Sequence, residues 1–171
     1  MRTILVLLVT TFTFLSLSAQ QSALNDFFDK YADNSAFTQI DISPKMFELF
    51  AQMDTETDMD EETLDMIKSL KGLKILMTEE NPEAIYKEFT SSVKMTAYEE
   101  LMTVRDGDSD VKFLVKDSDG GNIVNELLLL VGGSDNFVLM SFSGKIRLDK
   151  IGELASNINV SGSEHLDKLK K

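Results

Sequence analysis

The sequence predicts a single α+β domain. Its sheet is expected to be mixed and mostly antiparallel, with a four-stranded C-terminal meander and amphipathic helices packed mainly on one face. Two apolar runs, 123–131 and 137–142, flank the turn-forming segment 132–136, which is typical of a β-hairpin. Helical periodicity dominates the first half of the chain. A length of 171 residues suits one globular domain.

The hairpin is the predicted centre of the core. Residues 127–131 are apolar at every position, so this strand is expected to be covered on both faces, at least along part of its length. The partner run alternates more, with Val138 and Met140 on one side and Leu139 on the other. We interpret Gly132 and Gly133 as turn residues that tolerate positive φ.

Helices are predicted from apolar spacing and capping residues. The first is expected over 21–33, from the spacing of its leucine and aromatic residues. Pro44 and Pro82 each follow a good N-cap, Ser43 and Asn81, and therefore predict two helix starts. Another helix is expected to begin near the end of the acidic segment 54–62, with Gly72 as its C-terminal stop. A last helix is predicted over 149–158, packed on the sheet after Gly144.

Strands are predicted in two groups. Short strands are expected at 37–42 and 73–77. Further strands at 98–105 and 111–116 lead into the hairpin, separated by turn-forming acidic segments. Residues 98–142 are therefore predicted to form the antiparallel meander.

The N-terminal segment 1–19 has the pattern of a signal peptide. Arg2 supplies positive charge, residues 4–17 are apolar, and small residues end at Ala19, where we expect cleavage. An uncleaved anchor is the alternative. The folded domain is expected over 20–158, with 159–171 as a polar tail or short helix. No later segment could span a bilayer, so a soluble periplasmic or secreted protein is predicted.

Charge and cysteine content narrow the possible partners. The net charge of −12 argues against nucleic acid and anionic membrane surfaces, and favours basic surfaces or cations. The chain has no cysteine, so it cannot carry a disulfide, a thiolate metal site or a lipid on cysteine. We therefore expect no lipoprotein.

No catalytic set is visible in the sequence. The single histidine, His165, lies in the predicted polar tail, which is a poor support for a catalytic group. No phosphate-binding or dinucleotide-binding glycine motif is present. We therefore expect a protein without enzymatic activity, cofactor or metal. One alternative is a metal-dependent hydrolase whose Asp/Glu site is not recognisable from sequence.

A second alternative is a calcium-stabilised module. Oxygen ligands cluster in two turns, one with Asp106, Asp108 and Asp110 and the other with Asp117, Asp119 and Asn122. The two turns lie at opposite ends of the strand 111–116, about 20 Å apart, so they cannot share one ion. Segment 54–62 also alternates acids, but it lacks the glycine and glutamate that an EF-hand loop requires.

The strongest candidate for partner binding is the acidic flap, which we define as residues 54–62 with Met66. It carries six acids in nine residues and two methionines that lie off the predicted apolar helix face. The candidate contact residues are Asp54, Glu56, Asp58, Met59, Asp60, Glu61, Glu62 and Met66. The other methionines fit core stripes. We expect the flap to bind an unidentified protein of the cell envelope.

Two segments resemble a known family. Residues 37–47, FTQIDISPKMF, are similar to its first signature, and residues 136–146, NFVLMSFSGKI, followed by LDKI at 148–151, are similar to its second. The family is domain-of-unknown-function family 4252, small exported proteins of Gram-negative envelopes, and the resemblance spans the whole predicted mature chain. It implies an exported domain with no assigned activity, ligand or site residues. Some members look like lipoproteins, from which this chain departs by lacking cysteine.

Overall fold

A six-stranded antiparallel sheet carries helices on both of its faces in the computed structural model, which describes residues 15–53, 60–118 and 121–150. The α-helices in these ranges are α1 (Leu15–Lys30), α2 (Pro44–Met53), α3 (Glu61–Ser69) and α4 (Pro82–Ser92). The strands are β1 (Thr38–Ile42), β2 (Leu70–Thr78), β3 (Glu99–Asp106), β4 (Ser109–Ser118), β5 (Ile123–Gly132) and β6 (Phe137–Arg147). Two short 3₁₀ turns, Met95–Ala97 and Leu148–Lys150, complete the described elements.

The strand order is β1-β2-β6-β5-β4-β3, and every neighbouring pair is antiparallel. Strands β3 to β6 follow one another as a meander, which confirms the predicted C-terminal half of the sheet and the α+β class. Strands β1 and β2, which pair with each other although α2 and α3 separate them in the chain, extend the sheet on the other side of β6 through the β2-β6 pairing. The central hairpin, β5-β6, therefore lies in the middle of the sheet.

Strand β5 is buried on both faces, as its unbroken apolar run predicts. Leu127 and Leu129 belong to one core cluster, while Leu128 and Leu130 belong to the other. Side chains alternate between the faces of a strand, so four successive leucines need a cover on each side. Strand β6 divides its side chains in the same way, with Met140 in the first cluster and Leu139 in the second.

The helices supply these two covers. Phe47 of α2 and Ile67 of α3 pack in the first cluster, and Phe28 of α1 and Phe89 of α4 pack in the second. We call the two sides the α2/α3 face and the α1/α4 face. The prediction that helices gather mainly on one face is wrong, because the two central strands are apolar on both sides and a single helical layer covers only one of them.

Several element boundaries differ from the prediction. Helices α2 and α4 begin at Pro44 and Pro82, as predicted. Helix α3, however, ends at Ser69, and Gly72 lies inside β2 at a register shift. Gly72 is thus no helix stop, since the chain enters the sheet directly after α3.

Strand β6 runs on to Arg147 instead of ending before Gly144. Gly144 has φ +133°, and a Cβ there would approach the Ser69 carbonyl oxygen to 2.6 Å. The glycine thus lets β6 pass close to the start of β2. Of the predicted helix over 149–158, the structure describes only the 3₁₀ turn Leu148–Lys150, and residues 151–158 lie outside the described ranges.

The predicted terminal segments lie largely outside the described residues. Residues 1–14 of the predicted signal peptide and the predicted tail 159–171 are not covered, while residues 15–19 form the start of α1. In the part of the chain that is covered, no helix combines the length and apolar character needed to cross a membrane.

Candidate functional site

Helix α2 presents large apolar side chains to solvent. Met46, Leu49 and Phe50 are 54%, 43% and 47% exposed, although Phe47 between them is buried in the α2/α3 core. Their spacing of three and four residues places the three exposed side chains on one side of the helix. Ile40 of β1, 38% exposed, points to the same face of the sheet as the core residue Ile75, with which it pairs. We call Ile40, Met46, Leu49 and Phe50 the apolar patch.

The apolar patch arises because the stripe on α2 is broader than the sheet can cover. The sequence indicates the stripe, but among the α2 side chains that the structure describes only Phe47 is fully buried in the core, and Ala51 is half-buried beside it. The two isoleucines of β1 also differ. Ile42 packs against the core, whereas Ile40 stays 38% exposed. Clustered exposed apolar side chains of this kind mark interaction surfaces in monomeric proteins.

A charged pair lies beside the apolar patch, since Lys45 and Glu48 of α2 pair at 2.7 Å. This pair is largely exposed, so it contributes little to stability. The pair of Lys74 with Asp41 of β1, at 3.0 Å, lies on the opposite, α1/α4 face, where the Lys74 ammonium sits over the Phe28 ring. The acidic segment 54–62 follows α2 directly in the sequence and adds six carboxylates.

The predicted acidic flap is only partly described. Asp54, Glu56, Asp58 and Met59 lie outside the described residues. Asp60 is the N-cap of α3, where its side chain accepts the Thr63 backbone N–H at 2.7 Å. A hydrogen bond from Lys150 and then the Thr63 N–H lower the pKa of Asp60 from its ordinary 3.8 to about 2. Asp60 thus anchors the start of α3 to the end of the described chain.

The remaining flap residues divide into exposed and buried ones. Glu61 and Glu62 are exposed, and Glu62 accepts a hydrogen bond of 3.0 Å from Arg147. Met66 is only 3% exposed and packs in the α2/α3 core beside Ile67. The expectation that Met66 lies on a partner surface is wrong, because α3 turns Met66 and Ile67 together toward the sheet.

A buried carboxylate lies on the α1/α4 face of the sheet. Glu126 of β5 is 4% exposed and accepts hydrogen bonds from the Tyr98 hydroxyl at 3.2 Å and the Ser141 hydroxyl at 3.3 Å. Burial, and then the negative charge of Glu126, raise the pKa of Tyr98 far above its ordinary value. Tyr98 therefore remains a proton donor to Glu126. The Lys116 ammonium lies 5.9 Å from the centroid of the Tyr98 ring.

A cavity of about 330 Å³ opens beside this carboxylate. We call it the lysine pocket. Its lining includes Lys71, Lys116, Lys145, Asn125, Glu126 and Ser143. Sequence reasoning missed it because its lysines come from three separate strands. The adjacency of Asn125 and Glu126, polar residues inside an apolar strand, is the one signal that was available.

A second cleft of about 410 Å³ lies where β1 and β6 begin and β2 ends, and its lining includes Thr38, Glu79 and Asn136. It carries no basic side chain. The clustering of lysines therefore distinguishes the lysine pocket from this cleft.

The predicted calcium turns are described only in part. Asp110 pairs with Arg105 at 2.7 Å, and Asn122 donates a hydrogen bond to Asp149. The side chains of Asp106, Asp117 and Asp119 lie outside the described part of the structure. Among the residues whose side chains are described, no three Asp, Glu or His groups converge as metal ligands. A calcium-stabilised module stays an alternative that the sequence leaves open.

Comparison with known proteins supports the resemblance noted in the sequence. The sequence model of the family described as Domain of unknown function (DUF4252) matches residues 31–154, which span β1 to β6. No curated protein matched the chain, and neither did any solved structure. The match covers well over half of the sequence and the whole described sheet, and we conclude that the chain belongs to the DUF4252 family.

Proposed function

We propose that this protein is an exported, non-catalytic module that binds another envelope protein through the apolar patch. The observation that supports this most directly is the exposure of Met46, Leu49 and Phe50 on adjacent turns of α2. Full burial of such a side chain contributes about 1.5–3 kcal/mol, and because each of the three is about half exposed, roughly half of that amount is forgone at each. A partner that covers them recovers this free energy.

We propose a partner segment that is amphipathic and basic, with apolar side chains flanked by lysine or arginine. The net charge of −12 and the six carboxylates that follow α2 support this choice. A helix in a shallow apolar groove is a common form of such binding. In this proposal residues 54–62, which the sequence predicts as part of the partner-binding flap, supply the negative charge that attracts the basic segment.

The apolar patch is tested with one triple variant and a matched control. The test variant is Met46→Ser, Leu49→Ser, Phe50→Ser, and the control is Lys45→Ser, Glu48→Ser, Gln52→Ser, three exposed polar positions of the same helix. The probe is a synthetic amphipathic helix of leucine and lysine, and its counterpart contains leucine and glutamate. Binding is measured by fluorescence anisotropy at physiological salt.

We expect the leucine–lysine peptide to bind the unmodified protein and the control, and to bind the patch variant at least about tenfold more weakly, which corresponds to about 1.4 kcal/mol. The leucine–glutamate peptide should bind weakly to all three. Equal binding of both peptides, or undiminished binding by the patch variant, would contradict the proposal.

Two further measurements test whether a second copy of the chain, or its own C-terminal segment, covers the apolar patch instead of a partner. Sedimentation velocity should show a monomer, whereas a dimer that dissociates in the patch variant would assign the patch to a second copy. Deletion of residues 151–171 should leave the affinity for the leucine–lysine peptide unchanged. A large gain in affinity on deletion would identify the C-terminal segment as the occupant instead.

Export is tested at the N-terminus of the protein made in a Gram-negative host. Cleavage after Ala19 leaves Gln20 as the first residue, which intact-mass measurement of the periplasmic fraction detects. The variant Ala19→Lys should accumulate as uncleaved precursor, because the cleavage site requires a small residue. Recovery of the full chain from Met1 in the cytoplasmic fraction would contradict export.

A further inference from the structure

We propose that the lysine pocket binds a small hydroxylated organic anion, of the class of sugar acids and sugar phosphates. This inference concerns the α1/α4 face and is independent of the apolar patch. It rests on the charges and the hydrogen-bonding groups that the sheet brings together around Glu126.

Three lysines converge on the pocket from β2, β4 and β6. No ion pair in the described part of the chain holds Lys71, Lys116 or Lys145, whereas Lys74 and Lys150 each pair with a carboxylate. Like charges in one cavity repel each other, and the lining holds a single carboxylate, Glu126, which lies opposite Lys116 on the neighbouring strand and cannot balance all three ammonium groups. The cluster therefore favours an anionic group from outside the protein.

Glu126 restricts where that anionic group can lie. Its buried carboxylate, held by the Tyr98 and Ser141 hydroxyls, is acceptor-only when ionised and repels a second negative charge. The anionic group of a ligand is thus expected beside the lysine ammoniums. The part of the ligand nearest Glu126 must be neutral and polar, as sugar hydroxyls are.

The remaining lining residues fit a hydroxylated ligand. Asn125 and Ser143 supply amide and hydroxyl groups that both donate and accept hydrogen bonds. The Ser143 hydroxyl also donates to the Gly72 carbonyl oxygen at 3.4 Å, which orients it. The volume of about 330 Å³ lies at the small end of the range for ligand pockets, about 300–1,000 Å³. The lining residues belong to paired strands, so the sheet fixes their backbone positions.

Isothermal titration calorimetry with four probes tests the proposal. Glucose 6-phosphate and glucuronate carry both a charge and hydroxyls, glucose carries only hydroxyls, and inorganic phosphate carries only charge. We expect the first two to bind at least tenfold more tightly than glucose or phosphate, with affinity falling as salt is raised. Phosphate binding as tightly as glucose 6-phosphate would overturn the hydroxylated class, and no binding of either sugar anion at millimolar concentration would overturn the site.

The variant Lys71→Gln, Lys116→Gln, Lys145→Gln should lose at least tenfold in affinity for both sugar anions. The matched control is Lys87→Gln, an exposed lysine of α4 outside the pocket. Ser143→Ala gives a second, milder variant that should weaken glucuronate binding several-fold. Undiminished binding by the lysine variant would overturn the proposal, and the thermal unfolding midpoint of each variant shows that it is folded.

A free sugar acid and the end of a glycan present the same chemistry. A tetrasaccharide ending in glucuronate is therefore compared with the monosaccharide. Tighter binding of either one supports the proposal and identifies the source, and competition between them at the lysine pocket is expected. The patch variant Met46→Ser, Leu49→Ser, Phe50→Ser should bind sugar acids as tightly as the unmodified protein. This result would show that the lysine pocket and the apolar patch act independently.

Discussion

Gly132 is predicted as a turn residue, but in the structure it belongs to a strand and faces a helix. The sequence predicts a turn glycine, yet Gly132 is the last residue of β5 and pairs with Phe137. A Cβ at this position would come within 2.0 Å of the Tyr86 ring of α4. The glycine therefore lets a helix approach the sheet, and the turn itself begins after it.

Gly132→Ala should lower the free energy of unfolding by about 2 kcal/mol or more, because the added methyl group forces α4 or the Tyr86 ring to move. Urea unfolding measures the change. The matched control is Gly121→Ala, where a Cβ would meet no atom within 4 Å and stability should change by no more than about 0.5 kcal/mol. Equal effects of the two substitutions would show that the close contact is relaxed in solution.

Asp60 gives a pH-dependent contact at the residue scale. Its pKa is lowered in the folded chain, so its contribution to stability is present above its ordinary pKa of 3.8 and is lost as the pH falls through about 2. Carbon-detected NMR of the carboxyl group should show titration near pH 2. In Lys150→Ala the pKa of Asp60 should move upward toward 3.8, because the largest cause of the shift is removed. A carboxyl that titrates near 3.8 before the substitution would contradict the contact.

Helices α2 and α4 compare two elements with similar sequence signals and different surroundings. Each begins with proline after a polar residue, and each carries phenylalanine on an apolar stripe. Phe89 of α4 is fully buried, and the centroid of its ring lies 5.1 Å from that of Phe27 on α1. Helix α2 instead leaves Phe50 outside, since its apolar side chains spread over more of its circumference than the α2/α3 face covers.

Phe89→Ala and Phe50→Ala should therefore differ strongly in stability. Truncation of the fully buried Phe89 is expected to cost about 3–5 kcal/mol, and truncation of the 47% exposed Phe50 about 1 kcal/mol or less. Chemical denaturation of both variants provides the comparison. A loss at Phe50 as large as that at Phe89 would mean that another part of the chain covers the apolar patch in solution.

At the scale of the whole molecule, the described domain has two separate surfaces on opposite faces of one sheet. The apolar patch borders the α2/α3 face, and the buried Glu126 of the lysine pocket belongs to the α1/α4 face. An acidic chain that carries a cluster of lysines on one face has an uneven charge distribution despite its net charge of −12. Partner binding and anion binding can therefore be tested, and altered, independently.

The confirmed predictions are those that depend on residues close together in the sequence. The meander follows from alternating apolar runs and short turns, and both helix starts follow from the preference of proline for the first helical position. The predicted N-cap Asn81 forms no capping hydrogen bond with its side chain and has φ +50°. The single-faced helix layer and the exposure of Met66 were wrong, because both depend on how distant segments pack. No sequence signal for the lysine pocket was stronger than two polar residues in an apolar strand.

By itself, the sequence determined the α+β class, the double burial of β5 and the family, because apolar periodicity and local motifs specify elements and their buried sides. Only the tertiary structure decided which side of α2 stays in water and which lysines share a cavity. Those two properties depend on the placement of helices and on strand register, which bring together residues as far apart as Lys71 and Lys145. Such contacts arise from packing between segments and have no counterpart in local composition.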